Sequence, residues 1–293
     1  MRNTSLLFDM PYLPLLIRLE CKEPARLPPF LGSTLHGVVG WALRQHPETY
    51  AYLFENRRLG GGAQDIVNPY IIEPPRTRLV YRPGEILSFG LILLGDAVQH
   101  AESVVRLLAG ASPFRLGAER KAFALADVLQ GERYRSVWSA GRWDGEAAAA
   151  ENLSAHAQRE HARWCSVHLT TPLRIRRGGA LVQTIDFGTI IRSITRRIET
   201  LTERYGGSVD REAAAAVCER ASEVRMISSA LYLNEMHRYS TRKRESVDWS
   251  GMLGALVFEG ELSVFTPWLQ AARILHIGRN STFGCGQIDV VYR

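Results

Sequence analysis

Leu275-His-Ile-Gly-Arg-Asn-Ser-Thr-Phe-Gly-Cys-Gly-Gln-Ile-Asp289 places three glycines, a cation and two hydroxyls between a helix-like segment and a strand-like one. Gly278, Gly284 and Gly286 permit positive φ and a close approach of the backbone. Successive amides are therefore expected to converge on phosphate oxygens, with Arg279, Ser281 and Thr282 as further donors. A structural turn before a last strand has the same composition, so both readings stand at this point. Working outward, Thr266-Pro267 opens a helix that runs to Leu275, and Gln287 to Tyr292 closes as a strand. Further back, Leu253 to Phe258 and Val224 to Tyr239 read as strands, and Arg211 to Ser222 as a helix opened by Asp210. Phe187, Ile191, Ile194, Ile198 and Leu201 form a helical stripe, and Cys165 to Ile175 a strand. The order is close to β-α-β-β-α-β.

The N-terminal half repeats that order. Leu15, Ile17, Leu19 and Cys21 alternate on one face of a strand beginning at Leu13. Ser33 is placed to cap a helix with the stripe Leu35, Val38, Val39, Ala42 and Leu43, stopping at Pro47. Extended segments follow at Ile66 to Ile72 and Ile86 to Leu94, then a helix over Asp96 to Leu108, and closing strands within Lys121 to Trp138. The polar, alanine-rich stretch after Gly141 reads as a connection. The expected fold is α+β, with two tandem ferredoxin-like domains at 1–150 and 164–293 joined by a linker at 151–163.

The chain has 293 residues, 46% of them hydrophobic, and a formal net charge of +6. The charge favours an anionic partner such as nucleic acid. Of 36 basic residues only 3 are Lys, and Arg is the better bidentate phosphate ligand, although a GC-rich genome produces the same skew. Cys21, Cys165, Cys218 and Cys285 show no paired spacing, and no secretory signal precedes them. Free thiols in a cytoplasmic protein are expected. The longest strongly apolar run, Ile86 to Leu94, is far short of the ~20 residues of a membrane-spanning helix, so no membrane partner is expected.

Eight arginines against three acids lie between Arg163 and Tyr205, and Arg192 and Arg196 stand one turn apart on the helix face away from the isoleucine stripe. They form a candidate phosphate track, a solvated face being the plainer alternative. Arg238, Arg242, Lys243 and Arg244 beside Tyr232 and Tyr239 suit single-stranded RNA. His156, His161, Cys165 and His168 match no usual zinc spacing, so neither a metal nor another cofactor is expected. No Walker loop, nucleophile elbow or dinucleotide fingerprint is present. His36 falls at the third position of a helix capped by Ser33, where the dipole would keep a neutral imidazole. Gly37 and Gly40 beside it each cost ~1 kcal/mol in a helix interior, which implies close approach by RNA or by a packed partner element.

Taken in order, Phe30-Leu-Gly-Ser-Thr-Leu-His-Gly-Val-Val-Gly40, Tyr50-Ala-Tyr-Leu-Phe-Glu55, Tyr70-Ile-Ile-Glu-Pro-Pro75, Thr171-Pro-Leu-Arg-Ile175, the arginine-rich helix after Phe187, Tyr239-Ser-Thr-Arg242 and His276 to Gly286 resemble one family. It is the CRISPR-associated RAMP-superfamily endoribonuclease that processes precursor CRISPR RNA, the sixth Cas family. The resemblance implies metal-independent cleavage within each repeat, leaving a 2′,3′-cyclic phosphate and a 5′-hydroxyl. It also implies a catalytic histidine in or near the first helix, hence His36 as general base. Relatives with this motif often carry Arg at that position, and His46, at the helix C-terminal end, is the alternative as general acid. Arg44 lies two turns along from His36, and Arg279 is expected at the scissile phosphate. The expected partners are precursor CRISPR RNA and other Cas effector subunits. A non-catalytic RAMP subunit that holds guide RNA would share the fold and the basic face, and an RNA-recognition protein unrelated to CRISPR is a third possibility.

Overall fold

The computed structural model describes residues 6–55, 67–75, 78–156, 162–240 and 245–293. The chain divides into two compact units. One contains Met10–Leu153 and Leu201–Gly207; the other contains Met1–Asp9, Ser154–Thr200 and Ser208–Arg293. Both are α+β with antiparallel sheets.

In the first unit the strand Leu6–Cys21 supplies the centre of the sheet. It pairs on one side with Ile86–Leu94, in the register Tyr12↔Leu94 to Glu20↔Ile86, and on the other with Lys121–Gln130. Tyr70–Glu73 adds to the outer side of Ile86–Leu94. The four strands therefore lie in the spatial order Tyr70–Glu73, Ile86–Leu94, Leu6–Cys21, Lys121–Gln130. The alternation seen in the sequence decides which face is covered, since Leu13, Leu15, Ile17, Leu19 and Cys21 are all buried. Against them pack α1 (Gly32–Leu43), through Leu35, Val39, Ala42 and Leu43, and α3 (Ala101–Ala111), through Val104, Val105 and Leu108.

Two sequence expectations at α1 need correction. The helix starts at Gly32, and the residue before it, Leu31, makes no side-chain cap; Ser33 lies inside the first turn. His36 is consequently in the second turn, beyond the N-terminal amides that would have set its protonation. Pro47 does not merely stop α1 but begins α2 (Pro47–Phe54), where its fixed φ and missing N–H suit the first turn of a new helix. Residues 151–156, expected in the connection, form a strand.

In the second unit the sheet order is Arg225–Asn234, Gly251–Glu259, Trp164–Leu173, Ile288–Tyr292. Over it runs α4 (Phe187–Tyr205), whose Phe187, Ile191, Ile194 and Ile198 are buried; Phe187 meets Phe258 and Phe265 edge-on at 5.0 and 4.9 Å. α5 (Arg211–Arg220) is capped as expected, with Asp210 Oδ1 accepting from the Ala213 amide. α6 (Thr266–Leu275) has Pro267 in its first turn and leads into the glycine loop. No helix among the described residues is long and apolar enough to cross a membrane.

Candidate nucleic-acid interface and catalytic histidine

The glycine loop is held far more tightly than a surface turn. His276 and Asn280 both adopt left-handed φ, 56° and 66°, and Gly278, Gly284 and Gly286 lie at 74°, 86° and 74°. The Arg279 amide donates to Arg174 O at 2.8 Å, and the Gly286 amide to Pro172 O at 3.1 Å. Within the loop, Ile277 donates to Gly286 O, Gly284 to Ser281 O, and Cys285 to Asn280 O. The Gly278 amide is bound to Ser193 Oγ on α4 at 2.9 Å. His276, fully buried, has its Nδ1 3.1 Å from Cys285 O.

This accounting changes the reading of the loop. The amides of Gly278, Arg279, Gly284 and Gly286, expected to meet phosphate, are already paired inside the protein, so they are closed to a ligand. Ser281 and Thr282 are buried as well. The glycines serve the loop's own backbone. A Cβ on Gly278 would lie 2.7 Å from Arg174 O, and one on Gly286 would overlap Ile277 O. Replacement of Gly286 by a branched residue must therefore strike folding before it strikes binding. What the loop does present outward is Arg279, which is exposed and has no ion pair among the described residues.

The residue that holds the loop to α4 is Arg197. Its Nη2 donates to Ser281 Oγ and its Nη1 to Gly278 O at 3.4 Å, while Nε has no partner among the described residues. No carboxylate pairs with it there, and burial pushes its guanidinium down to about 10, so it remains a cation at neutral pH. Sequence reasoning singled out its neighbours instead. The missed signal was its phase: Arg197 stands three residues after Ile194 and four before Leu201, inside the apolar stripe. Arg192 and Arg196 are exposed, with Arg192 Nη2 3.4 Å from Thr189 Oγ1 and 3.5 Å from Asp186 Oδ1.

A second buried cation braces the loop's other support. Arg174 donates through Nη1 to Ser250 O and through Nη2 to Asp248 O at 3.0 Å, and burial lowers its pKa. Tyr232 is 58% exposed on the neighbouring strand. Arg242 lies outside the described residues. The side chains of His156 and His161 do too, while Cys165 is buried and His168 is exposed with Nε2 2.9 Å from Ser166 Oγ. Among the described residues no cluster of His, Cys, Asp or Glu could hold a metal ion.

In the first unit His36 is half-buried on an aromatic pad. Its ring centroid is 5.0 Å from Phe54 and 6.2 Å from Tyr70, and those two stack at 5.0 Å. Gly40, one turn later, is what lets α2 come this close, since a Cβ there would meet Phe54 Cε1 at 2.8 Å. Tyr70 is buried and its phenol pKa is raised well above the usual value by desolvation, so the pad carries no charge. An imidazole packed against these two rings has its plane constrained by them.

His46 is not where the sequence placed it. It is exposed and caps the N-terminus of α2, its Nδ1 3.3 Å from the Thr49 amide and 3.0 Å from Thr49 Oγ1. The argument for a general acid, position at a helix C-terminus, is therefore lost. Arg44, at the end of α1, is exposed, its guanidinium carbon 5.7 Å from the Tyr50 ring centroid.

Residues 167–288 match the family model of the CRISPR-associated endoribonuclease Cas6, and residues 10–153 match a model described as an N-terminal domain. No curated protein matches significantly. Among solved structures, a Cas6 product complex is 16% identical with a TM-score of 0.63, over 96% of this chain and all of that one. A Thermus thermophilus Cas6 is 13% identical with a TM-score of 0.61, over 98% of this chain and 99% of that one. A chain of a partial Cas6-RT-Cas1–Cas2 complex is 14% identical with a TM-score of 0.63; this chain spans 46% of its length. At these identities the likeness to solved structures is one of fold.

Proposed function

Since the chain carries a Cas6 domain, we propose that it is an endoribonuclease that cleaves precursor CRISPR RNA within its repeats. The observation that carries the reading is the clamp of Ser193 and Arg197 on the glycine loop, which fixes the loop carrying the exposed Arg279 to the helix carrying the exposed Arg192 and Arg196. Three cations on a rigid support form a track for a phosphodiester backbone. Both sheets have the strand order expected of ferredoxin-like units, and we read the two units as such. The boundaries expected from sequence, 1–150 and 164–293, are retained in this reading.

For the chemistry, His36 takes the proton from a ribose 2′-hydroxyl, the oxygen attacks the adjacent phosphorus in line, the bond from phosphorus to the 5′-oxygen breaks, and that oxygen takes up a proton from water. The products are a 2′,3′-cyclic phosphate and a 5′-hydroxyl. No metal enters this scheme. Arginines stabilise the charge that develops on the phosphoryl oxygens. The Phe54 and Tyr70 pad is the support for the assignment, because it fixes the imidazole on a neutral, apolar surface. Incubation of repeat RNA with the protein in EDTA tests the proposal. Discrete cuts with cyclic-phosphate ends are expected, and a substrate with one 2′-deoxy nucleotide just upstream of the cut should bind and stay intact. Tight binding without cuts would instead identify a guide-RNA-holding subunit.

A further inference from the structure

The face of α1 that carries Gly37, Val38 and Trp41 borders a cleft of about 350 Å³ whose other wall includes Phe114, Arg115 and Arg120. It is not part of the site described above. On a helix, Gly37, Val38 and Trp41 lie within about 100° of one another, whereas His36 projects to the far side, onto Phe54 and Tyr70.

Three features of the cleft need a common explanation. Trp41 is 54% exposed, a large indole left partly in water at its rim. Gly37 is in a helix interior, where glycine is unfavourable, yet a Cβ there would meet nothing within 4 Å. Packing of the chain on itself therefore does not require the glycine, and its bare backbone keeps the cleft open. Lastly, Arg120 holds left-handed φ of 53° in the turn between the strands Phe114–Leu116 and Lys121–Gln130, and its guanidinium has no partner among the described residues. Arg115 is steadied by Glu23 Oε1 at 3.0 Å.

A flat aromatic face, an apolar opposite wall and two guanidinium groups fit one chemical unit: a nucleobase with its phosphate. The volume, at the low end of small-ligand pockets, suits one nucleotide and not a duplex. We infer that the cleft binds a single nucleotide from an unpaired part of the RNA, with the base stacked on Trp41 and the phosphate on Arg115 and Arg120. This rests on RNA being the substrate. It adds a binding subsite away from His36, one that positions the strand and takes no part in the cut.

The test uses fluorescently labelled pentauridylate and pentaadenylate, followed by anisotropy with the full chain. Trp41→Ala and Gly37→Leu should each weaken binding about 5- to 100-fold, and Arg120→Gln should lower the salt slope by about 0.7. Gly37→Leu fills the cleft with a good helix former, so its melting temperature should not fall below that of the parent, which separates occlusion from misfolding. Unchanged affinity in both Trp41→Ala and Gly37→Leu would overturn the inference. So would a change in sedimentation from dimer to monomer in those variants with oligonucleotide affinity intact, since the cleft would then hold a second copy. If parent protein binds the oligonucleotides through Trp41 and fails to cut repeat RNA, the nuclease reading falls and this one stands. If repeat RNA is cut while the variants bind oligonucleotides like the parent, the reverse holds.

Discussion

Gly37 and the loop pair Gly278 and Gly286 use the same residue for opposite ends. At Gly37 the missing side chain leaves space that nothing among the described residues fills. At Gly278 and Gly286 the missing side chain leaves no space at all, because carbonyls of Arg174 and Ile277 come up against the α-carbon. A glycine that admits an outside body and one that admits the chain's own backbone look alike in sequence. Only the first marks an open surface.

The strongest way to break this comparison is Gly286→Val. A branched side chain at φ 74°, with its Cβ overlapping Ile277 O, should destabilise the protein by about 3 kcal/mol or more. Chemical denaturation would show it, and a variant that melted like the parent would mean that the loop can open toward a ligand. Next in size is His36→Ala. Single-turnover cleavage of repeat RNA should fall at least ~100-fold, while affinity stays within a few fold. Cleavage at the parent rate would return His36 to the role of a packed ring on Phe54.

Arg192, Arg196 and Arg279 come third. Replacing any one with Gln should leave the fold intact and reduce the salt dependence of RNA binding by about 0.7 for each phosphate that is no longer neutralised. A slope unchanged in all three would detach the clamp from RNA binding. The smallest effect is expected from Gly37→Ala. With nothing within 4 Å of the new Cβ, the helix should gain about 1 kcal/mol, read as a rise of roughly 2–4 °C in melting temperature. A loss instead would put Gly37 in the same class as Gly286.

Much of the fold was legible because its signals are local and periodic. The alternation from Leu13 to Cys21 and the stripe from Phe187 to Leu201 become buried faces, and Asp210 and Pro267 open helices where expected. Ser33 failed because a cap depends on backbone dihedrals at one residue, and a polar side chain two positions inside the helix has the same composition. His46 failed with it, since a proline can end one helix or begin another, and here the next helix uses the histidine as its cap. Arg197 was legible in principle from its phase, yet a charge in an apolar stripe reads as an error until its distant partners, Gly278 and Ser281, are in view. The cleft at Gly37 and Trp41 was out of reach, because its second wall comes from residues more than seventy positions away.

The internal pairing of the glycine loop also sets a timescale. The Arg279 and Gly286 amides are bonded to Arg174 and Pro172, at the end of the Trp164–Leu173 strand, and the Gly278 amide to α4. In heavy water these protons exchange only when the sheet edge or the packing of the loop on α4 opens, so the segment retains hydrogen like a strand and not like a turn. On the proposed reading, RNA that meets Arg279 finds a surface already set in place, with little of its binding free energy diverted to ordering the loop.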